Sequence, residues 1–209
     1  MNTESSHQQE KTWQGLSISN LLTYGSLISG LVGYFFYAKT GNLKYVGLFL
    51  CFSFIFDIFD GQFARLFKKR SIFVTKLGSY LDSLTDFAVF GVLPGLAVLQ
   101  IPSTNLYLNI FTFCTVIFFT ICSMTRLGSF HILTNNANYF IGLPTTLSGL
   151  CLTICLLLTS SKMILAVVLL ILSIMMIASF QITRPGKKGL MLLAGVAVFI
   201  GLLHAQKVI

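Results

Sequence analysis

Charged residues are scarce in this chain, and acidic residues are the scarcest. Only 10% of its 209 residues are charged and only 6 are acidic, whereas about 25% of an ordinary soluble domain is charged. Hydrophobic residues make up 55% of the chain, and the mean hydropathy is +0.85. The shortage of charge excludes an ordinary soluble domain and indicates a membrane protein divided into spans of about 20 residues.

Other absences exclude further classes of protein. The 5 cysteines are odd in number and lack the spacing of metal ligands, so we interpret them as packing residues in a reduced setting. No basic region precedes an apolar core at the start, and no cleavable signal peptide is expected. The net charge of +8 comes from basic residues in short loops. No nucleic-acid partner is therefore expected.

Seven apolar runs predict an all-α, polytopic transmembrane helical bundle. Residues 1–12 are polar and should form a tail before the bundle. The fifth and sixth runs are separated by so few residues that they should form a tight helical hairpin. The predicted spans are residues 16–38, 44–67, 76–99, 105–127, 144–160, 162–182 and 188–206.

The distribution of basic residues predicts the orientation of these spans. With the N-terminus inside, ten basic residues lie on the cytoplasmic side and four on the outer side, as the positive-inside rule requires. Seven spans would then place the C-terminus outside. The four outer residues are Lys39, Lys44, Lys162 and Lys207.

All four aspartates of the chain lie inside apolar runs: Asp57, Asp60, Asp82 and Asp86. A carboxylate at the bilayer centre costs roughly 2.5–3.5 kcal/mol, so these groups must be paired or must face a wet cavity. Their spacings of three and four residues place each pair on one helix face. Each pair should lie about 10 Å below the cytoplasmic loop between the two spans. Carboxylates gathered in this way suit Mg²⁺ or Mn²⁺.

Small residues and one arginine accompany the aspartates. Gly61, Ala64 and Gly78 would let a large group approach the backbone. Arg65 follows one turn after Asp60 and could hold a phosphate with two hydrogen bonds. Metal and arginine beside a cavity are suited to handling a diphosphate.

This pattern resembles the signature of the CDP-alcohol phosphatidyltransferases. The resemblance rests on Asp57-x2-Asp60-Gly61-x2-Ala64-Arg65 and on Gly78-x3-Asp82-x3-Asp86. It implies that Asp57, Asp60 and Asp82 bind metal with help from Asp86, which is also the general base. It implies as well that a CDP group is held by Gly61, Ala64, Gly78 and Arg65, near Asn20 and Thr23.

The resemblance also carries expectations about architecture. It implies a homodimer whose six-helix core occupies residues 13–182 of each chain, so residues 183–209 would form an additional transmembrane segment. The expected location is the cytoplasmic (inner) membrane, with the site facing the cytoplasm.

The acceptor is indicated by residues 81–91, LDSLTDFAVFG, which resemble the phosphatidylserine synthase branch. Arg126 would then bind the serine carboxylate or a phosphate, although a snorkelling arginine at a helix end is an alternative. Two features depart from that branch: twelve residues separate Arg65 from Gly78, and Ser129 stands where a second arginine is usual.

The predicted reaction is therefore phosphatidyl transfer from CDP-diacylglycerol to L-serine. Two alternatives remain at this point. One is the same chemistry with glycerol phosphate or inositol phosphate as acceptor. The other is a divalent-cation transporter that uses the aspartates as its path.

Overall fold

The computed structural model describes residues 20–64, 72–133, 139–183 and 185–208. Seven helices and two short strands occur within these ranges. The predicted all-α bundle is confirmed, with one helix at each predicted span. The helices are α1 (Leu21–Thr40), α2 (Lys44–Ala64), α3 (72–99), α4 (Leu106–Leu133), α5 (Thr145–Leu158), α6 (Lys162–Ile177) and α7 (Lys187–Gln206), and the strands are β1 (Tyr139–Ile141) and β2 (Gln181–Thr183).

Four helices are long and apolar enough to cross a membrane. They are Leu21–Thr40, Phe73–Leu99, Leu106–Phe130 and Lys188–Gln206. Helices α5 and α6 are also apolar but shorter, with 14 and 16 residues. Large apolar side chains point outward along these helices, including Tyr107 at 85% exposure. The chain is an integral membrane protein.

The strand pair is a departure from the predicted spans. The sixth span was expected to reach residue 182, but α6 ends at Ile177 and the chain then becomes extended. β2 pairs antiparallel with β1, and Phe140 lies opposite Ile182. Gly142 has a φ of 70°, and its amide donates to the carbonyl of Phe180 at 2.8 Å. Hydropathy could not reveal this pairing because the two strands are about 40 residues apart in sequence.

A stripe of small polar residues joins α1 to α2. The Ser26 and Ser53 hydroxyls each donate to the other's backbone carbonyl, at 3.2 and 2.9 Å. One turn along, the Ser29 hydroxyl donates to the carbonyl of Phe49 at 2.9 Å. Hydrogen bonds between membrane helices contribute about 0.6 kcal/mol each on average. Together they fix the position of α2, the helix that carries Asp57 and Asp60.

Three of the predicted outer lysines bind the carbonyl ends of helices. Lys162 Nζ donates to the carbonyls of Leu99 and Ile101 at 3.1 and 2.9 Å. Lys44 Nζ and Lys207 Nζ both donate to the carbonyl of Leu157, at 3.1 and 3.2 Å. Cations are stabilising at helix C-termini because the last carbonyls lack partners inside the helix. This lysine-rich end of the bundle lies opposite the aspartates, which come about 20 Å along α2 from Lys44.

Helix α7 packs along α2 rather than standing apart from the bundle. Its inner face is buried at Ala197 and Ile200. His204 is fully buried, and its Nε2 lies 2.9 Å from the carbonyl of Thr153. A carbonyl can only accept a hydrogen bond, so Nε2 carries the proton in this contact. Residues 183–209 were predicted to form an additional transmembrane segment, and the helix within them packs against α2 and is hydrogen-bonded to α5.

Replacing Gly47 by alanine should destabilise this contact. A methyl group at Gly47 would collide with the buried ring of His204. Forcing an extra carbon into a well-packed site costs about 1–3 kcal/mol, so the unfolding midpoint of the purified protein in detergent should fall. The control is G195A on α7, where an added methyl group meets no atom within 4 Å. Equal midpoints for the two variants would contradict the packing described here.

Candidate active site

Helices α2 and α3 bring three aspartates together. One carboxylate oxygen from each of Asp57, Asp82 and Asp86 lies within 4.8 Å of the other two. The carboxyl groups of Asp57 and Asp86 are hydrogen-bonded to each other. The two helices run antiparallel on either side of the predicted cytoplasmic loop. Carboxylates at the same distance from that loop therefore lie close together, as their spacing predicts.

Asp60 occupies a different position from the other three. Its Oδ2 accepts a hydrogen bond of 2.6 Å from the hydroxyl of Thr23 on α1. The side chain is only 8% exposed, and it still interacts electrostatically with Asp57 and Asp82. The Thr23 hydrogen bond thus fixes Asp60 to α1, beside the cluster formed by the other three carboxylates.

Asp57, Asp60 and Asp82 line a cavity of about 660 Å³. One wall is polar and comes mainly from α1, α2 and α3. Most of the remaining lining residues are apolar and come from α5, α7 and the strand pair, with Phe140 and Ile182 contributed by the paired strands. The polar wall contains Asn20, Asp57, Asp60, Thr75, Gly78, Ser79 and Asp82.

Asn20 and Gly78 meet at the polar wall. Asn20 is 2% exposed, and a methyl group at Gly78 would lie 3.1 Å from its Oδ1. Any larger side chain at Gly78 would displace Asn20. Gly61 and Ala64 lie on the last turn of α2, and Arg65 lies outside the described residues. The roles predicted for these residues in CDP binding stay predictions.

Arg126 lies on α4 beside a second and smaller cavity. This cavity has a volume of about 140 Å³ and is also lined by Ile141. The guanidinium carbon lies 5.5 Å from the ring centre of Phe130 and 5.6 Å from that of Phe140. Phe140 lines the larger cavity, so β1 contributes to both cavities. Arg126 also interacts electrostatically with Asp86. The positive charge of the guanidinium is therefore close to the predicted general base.

Comparison with known proteins identifies the family. The model of the CDP-alcohol phosphatidyltransferase family matches residues 16–180, which include all four aspartates. The chain belongs to this family. It is therefore a transferase of phospholipid synthesis, and the family resemblance inferred from the sequence is confirmed.

Three relatives from the comparison carry closely related names. A CDP-diacylglycerol–serine O-phosphatidyltransferase of Bacillus subtilis is 31% identical over 135 residues, covering 64% of this chain and 72% of the relative. A protein of the same name from Methanocaldococcus jannaschii is 29% identical over 173 residues, covering 83% and 77%. The archaetidylserine synthase of Methanothermobacter thermautotrophicus is 28% identical over 151 residues, covering 71% and 62%.

The carboxylates of this phosphatidyltransferase fit a divalent cation. Two unit charges within 4.8 Å of each other repel by at least about 3 kcal/mol at an effective dielectric constant of 20, so the three carboxylates need a cation or protons. Oxygens on opposite sides of one Mg²⁺ lie about 4.2 Å apart. Adjacent oxygens around the ion lie about 3.0 Å apart, and three oxygens that already lie within 4.8 Å of one another can reach such positions by side-chain movements.

Sequence reasoning missed two hydroxyl groups on the polar wall. Thr75 and Ser79 line the cavity together with Gly78 and Asp82. Their positions follow the three-and-four-residue spacing of one helix face, which continues to Asp86. The same periodicity that pairs the aspartates could therefore have identified them.

Proposed function

We propose that this transferase moves a phosphatidyl group from CDP-diacylglycerol to L-serine, giving phosphatidylserine and CMP, with Mg²⁺ or Mn²⁺ as cofactor. The observation that carries the proposal is the convergence of Asp57, Asp82 and Asp86, of which Asp57 and Asp82 line the same cavity as Asn20 and Gly78. The names of the three relatives support serine as the acceptor.

Asp86 acts as the general base in the proposed reaction. The serine hydroxyl oxygen attacks the phosphorus that bears diacylglycerol, and Asp86 accepts the hydroxyl proton. The bond from this phosphorus to the CMP oxygen breaks, and CMP leaves with the electron pair. Asp57, Asp82 and Asp86 would hold the divalent cation, with Asp60 fixed beside them by Thr23. A bound cation supplies positive charge that stabilises the diphosphate and the departing CMP.

Arg126 is proposed to bind the serine carboxylate. A guanidinium can hold a carboxylate with two parallel hydrogen bonds. Its electrostatic interaction with Asp86 favours this role, because the acceptor hydroxyl must reach that carboxylate. Phe130 and Phe140 hold the guanidinium by cation–π contacts, which would orient it for the acceptor.

The proposed location is the cytoplasmic membrane with the site on the cytoplasmic side. The charge distribution supports this orientation, and the predicted outer lysines Lys44, Lys162 and Lys207 lie at the end of the bundle opposite the aspartates. Serine and CMP are soluble in water, whereas the donor keeps its acyl chains in the bilayer. The homodimer implied by the family resemblance stays a prediction.

An acceptor comparison tests the proposed reaction. Purified protein is incubated with CDP-diacylglycerol and Mn²⁺ or Mg²⁺, and CMP release is measured with serine, glycerol phosphate or inositol phosphate. We expect release with serine only, and none when a chelator replaces the metal. Release with a phosphorylated acceptor would overturn the serine assignment while keeping the aspartates.

The same assay separates the transferase from a cation transporter. A transferase releases CMP in detergent, where no ion gradient exists. Absence of CMP release with every acceptor, combined with metal binding, would favour the ion path instead.

A further inference from the structure

Helix α7 lies beyond the part of the chain that the family model matches, yet it forms part of the cavity wall. The match ends at residue 180, and α7 begins at Lys187. Leu190 and Leu193 on α7, together with Pro185 just before it, line the same cavity as Asp57, Asp60 and Asp82. A segment outside the matched region thus contributes directly to the site.

The two sides of α7 face different surroundings near its start. Leu190 and Leu193 are partly buried against the cavity. Met191 and Leu192 point away from the protein and are 72% and 71% exposed, which is the orientation expected of lipid-facing residues in a membrane-spanning helix. This half of α7 therefore forms the boundary between the cavity and the bilayer.

The far half of α7 holds this boundary in place. Ala194, Ala197 and Ile200 continue the inner face below Leu193 and are buried where α7 packs along α2. His204 anchors the end of the helix to the carbonyl of Thr153 at 2.9 Å. The wall formed by Leu190 and Leu193 is consequently a fixed surface in this structure.

The size of the cavity limits what it can enclose. Its volume of about 660 Å³ is in the range of pockets that enclose one drug-sized ligand, about 300–1,000 Å³. A nucleotide head group fits such a space, but two long acyl chains in addition do not. The acyl chains of a CDP-lipid must therefore leave the cavity. Their most favourable path runs along apolar side chains, since each CH₂ that is kept out of water contributes about 0.8 kcal/mol.

We propose that the first half of α7, through Leu190 and Leu193, binds the part of the donor's acyl chains nearest to glycerol and leads them from the cavity into the bilayer. Phe54 on α2 and Leu147 on α5 line the same cavity and extend this apolar surface. The inference rests on the proposed function in one respect, namely that the donor is a CDP-lipid.

Binding measurements with and without acyl chains test this role. L193W and the control L192W are purified, and the affinities for CDP-diacylglycerol and for CDP alone are measured in detergent with Mn²⁺. We expect L193W to weaken binding of CDP-diacylglycerol by roughly tenfold or more and to leave CDP binding within about twofold. L192W, which places the same bulk on the lipid-facing side, should change neither affinity.

A second variant guards against a folding defect in L193W. L193A removes the apolar contact without adding bulk, and it should weaken binding of CDP-diacylglycerol by about threefold or more while leaving CDP binding unchanged. Equal losses for both ligands, or no loss for either, would overturn the proposal. If the unmodified protein bound CDP but showed no preference for the lipid form, the acyl role of α7 would fail while nucleotide binding stood. If it bound neither, the proposed function itself would fail.

Discussion

Replacing Asp86 with asparagine should reduce kcat by about 10²- to 10⁴-fold, the usual contribution of a general base. Asparagine has nearly the same shape but cannot accept the proton of the serine hydroxyl. At a Mn²⁺ concentration high enough to saturate the variant, the affinity for CDP-diacylglycerol should change by only a few-fold, because the cavity wall with Asn20 and Gly78 is untouched. CMP release under saturating substrates and metal, together with donor binding, gives both quantities.

Two further variants make the Asp86 result specific. L84A changes a neighbouring residue on α3 that is 63% exposed, and it should keep kcat within about twofold of the unmodified protein. D86E retains a carboxylate and should recover part of the activity lost in D86N. Normal turnover by D86N would assign the base to another residue.

The second large effect is expected from D82N and concerns the metal. Asp82 supplies one of the three carboxylates whose oxygens lie within 4.8 Å of one another. Loss of a residue that hydrogen-bonds to a metal ligand typically costs about 10–100-fold in metal affinity or activity. Loss of the ligand itself should therefore raise the half-saturating Mn²⁺ concentration at least about tenfold. High Mn²⁺ should restore much of the activity of D82N but none of that of D86N. A metal titration of CMP release in the two variants measures this difference.

Stability without metal provides an independent measurement of the same site. With a chelator present, D82N should unfold at a higher temperature than the unmodified protein, because it removes the negative charge of Asp82 from beside the other acidic side chains. Addition of Mn²⁺ should then stabilise D82N less than the unmodified protein. D60N should shift the metal dependence less than D82N, since the Asp60 carboxylate accepts the Thr23 hydroxyl. Identical metal responses in D82N and the unmodified protein would remove Asp82 from the metal site.

The helices and the meeting of the aspartates could be predicted because both depend on local patterns. Hydropathy located the seven helices of the described residues, and the apolar runs predicted the boundaries within these residues to about four positions, except at the ends of α4 and α6. The predicted helical residues 16–19 and 65–67 lie outside the described part of the chain. The spacing of Asp82 and Asp86 placed them on one helix face, and two adjacent antiparallel helices then had to bring them close to Asp57. The separate position of Asp60, outside the cluster of the other three aspartates, was not predictable, because it depends on the Thr23 hydroxyl of α1.

By itself, the sequence determined the class of protein, the seven helices of the described residues and the family, because these depend on composition, helical periodicity and the spacing of a few aspartates. The tertiary structure decided which surfaces surround the site. It paired β1 with β2, placed Arg126 in a second cavity beside Phe140, and placed Leu190 and Leu193 of α7 on the wall of the larger cavity. The physical reason is that these contacts join residues far apart in the chain, and their free energy comes from packing between helices, which no local pattern records.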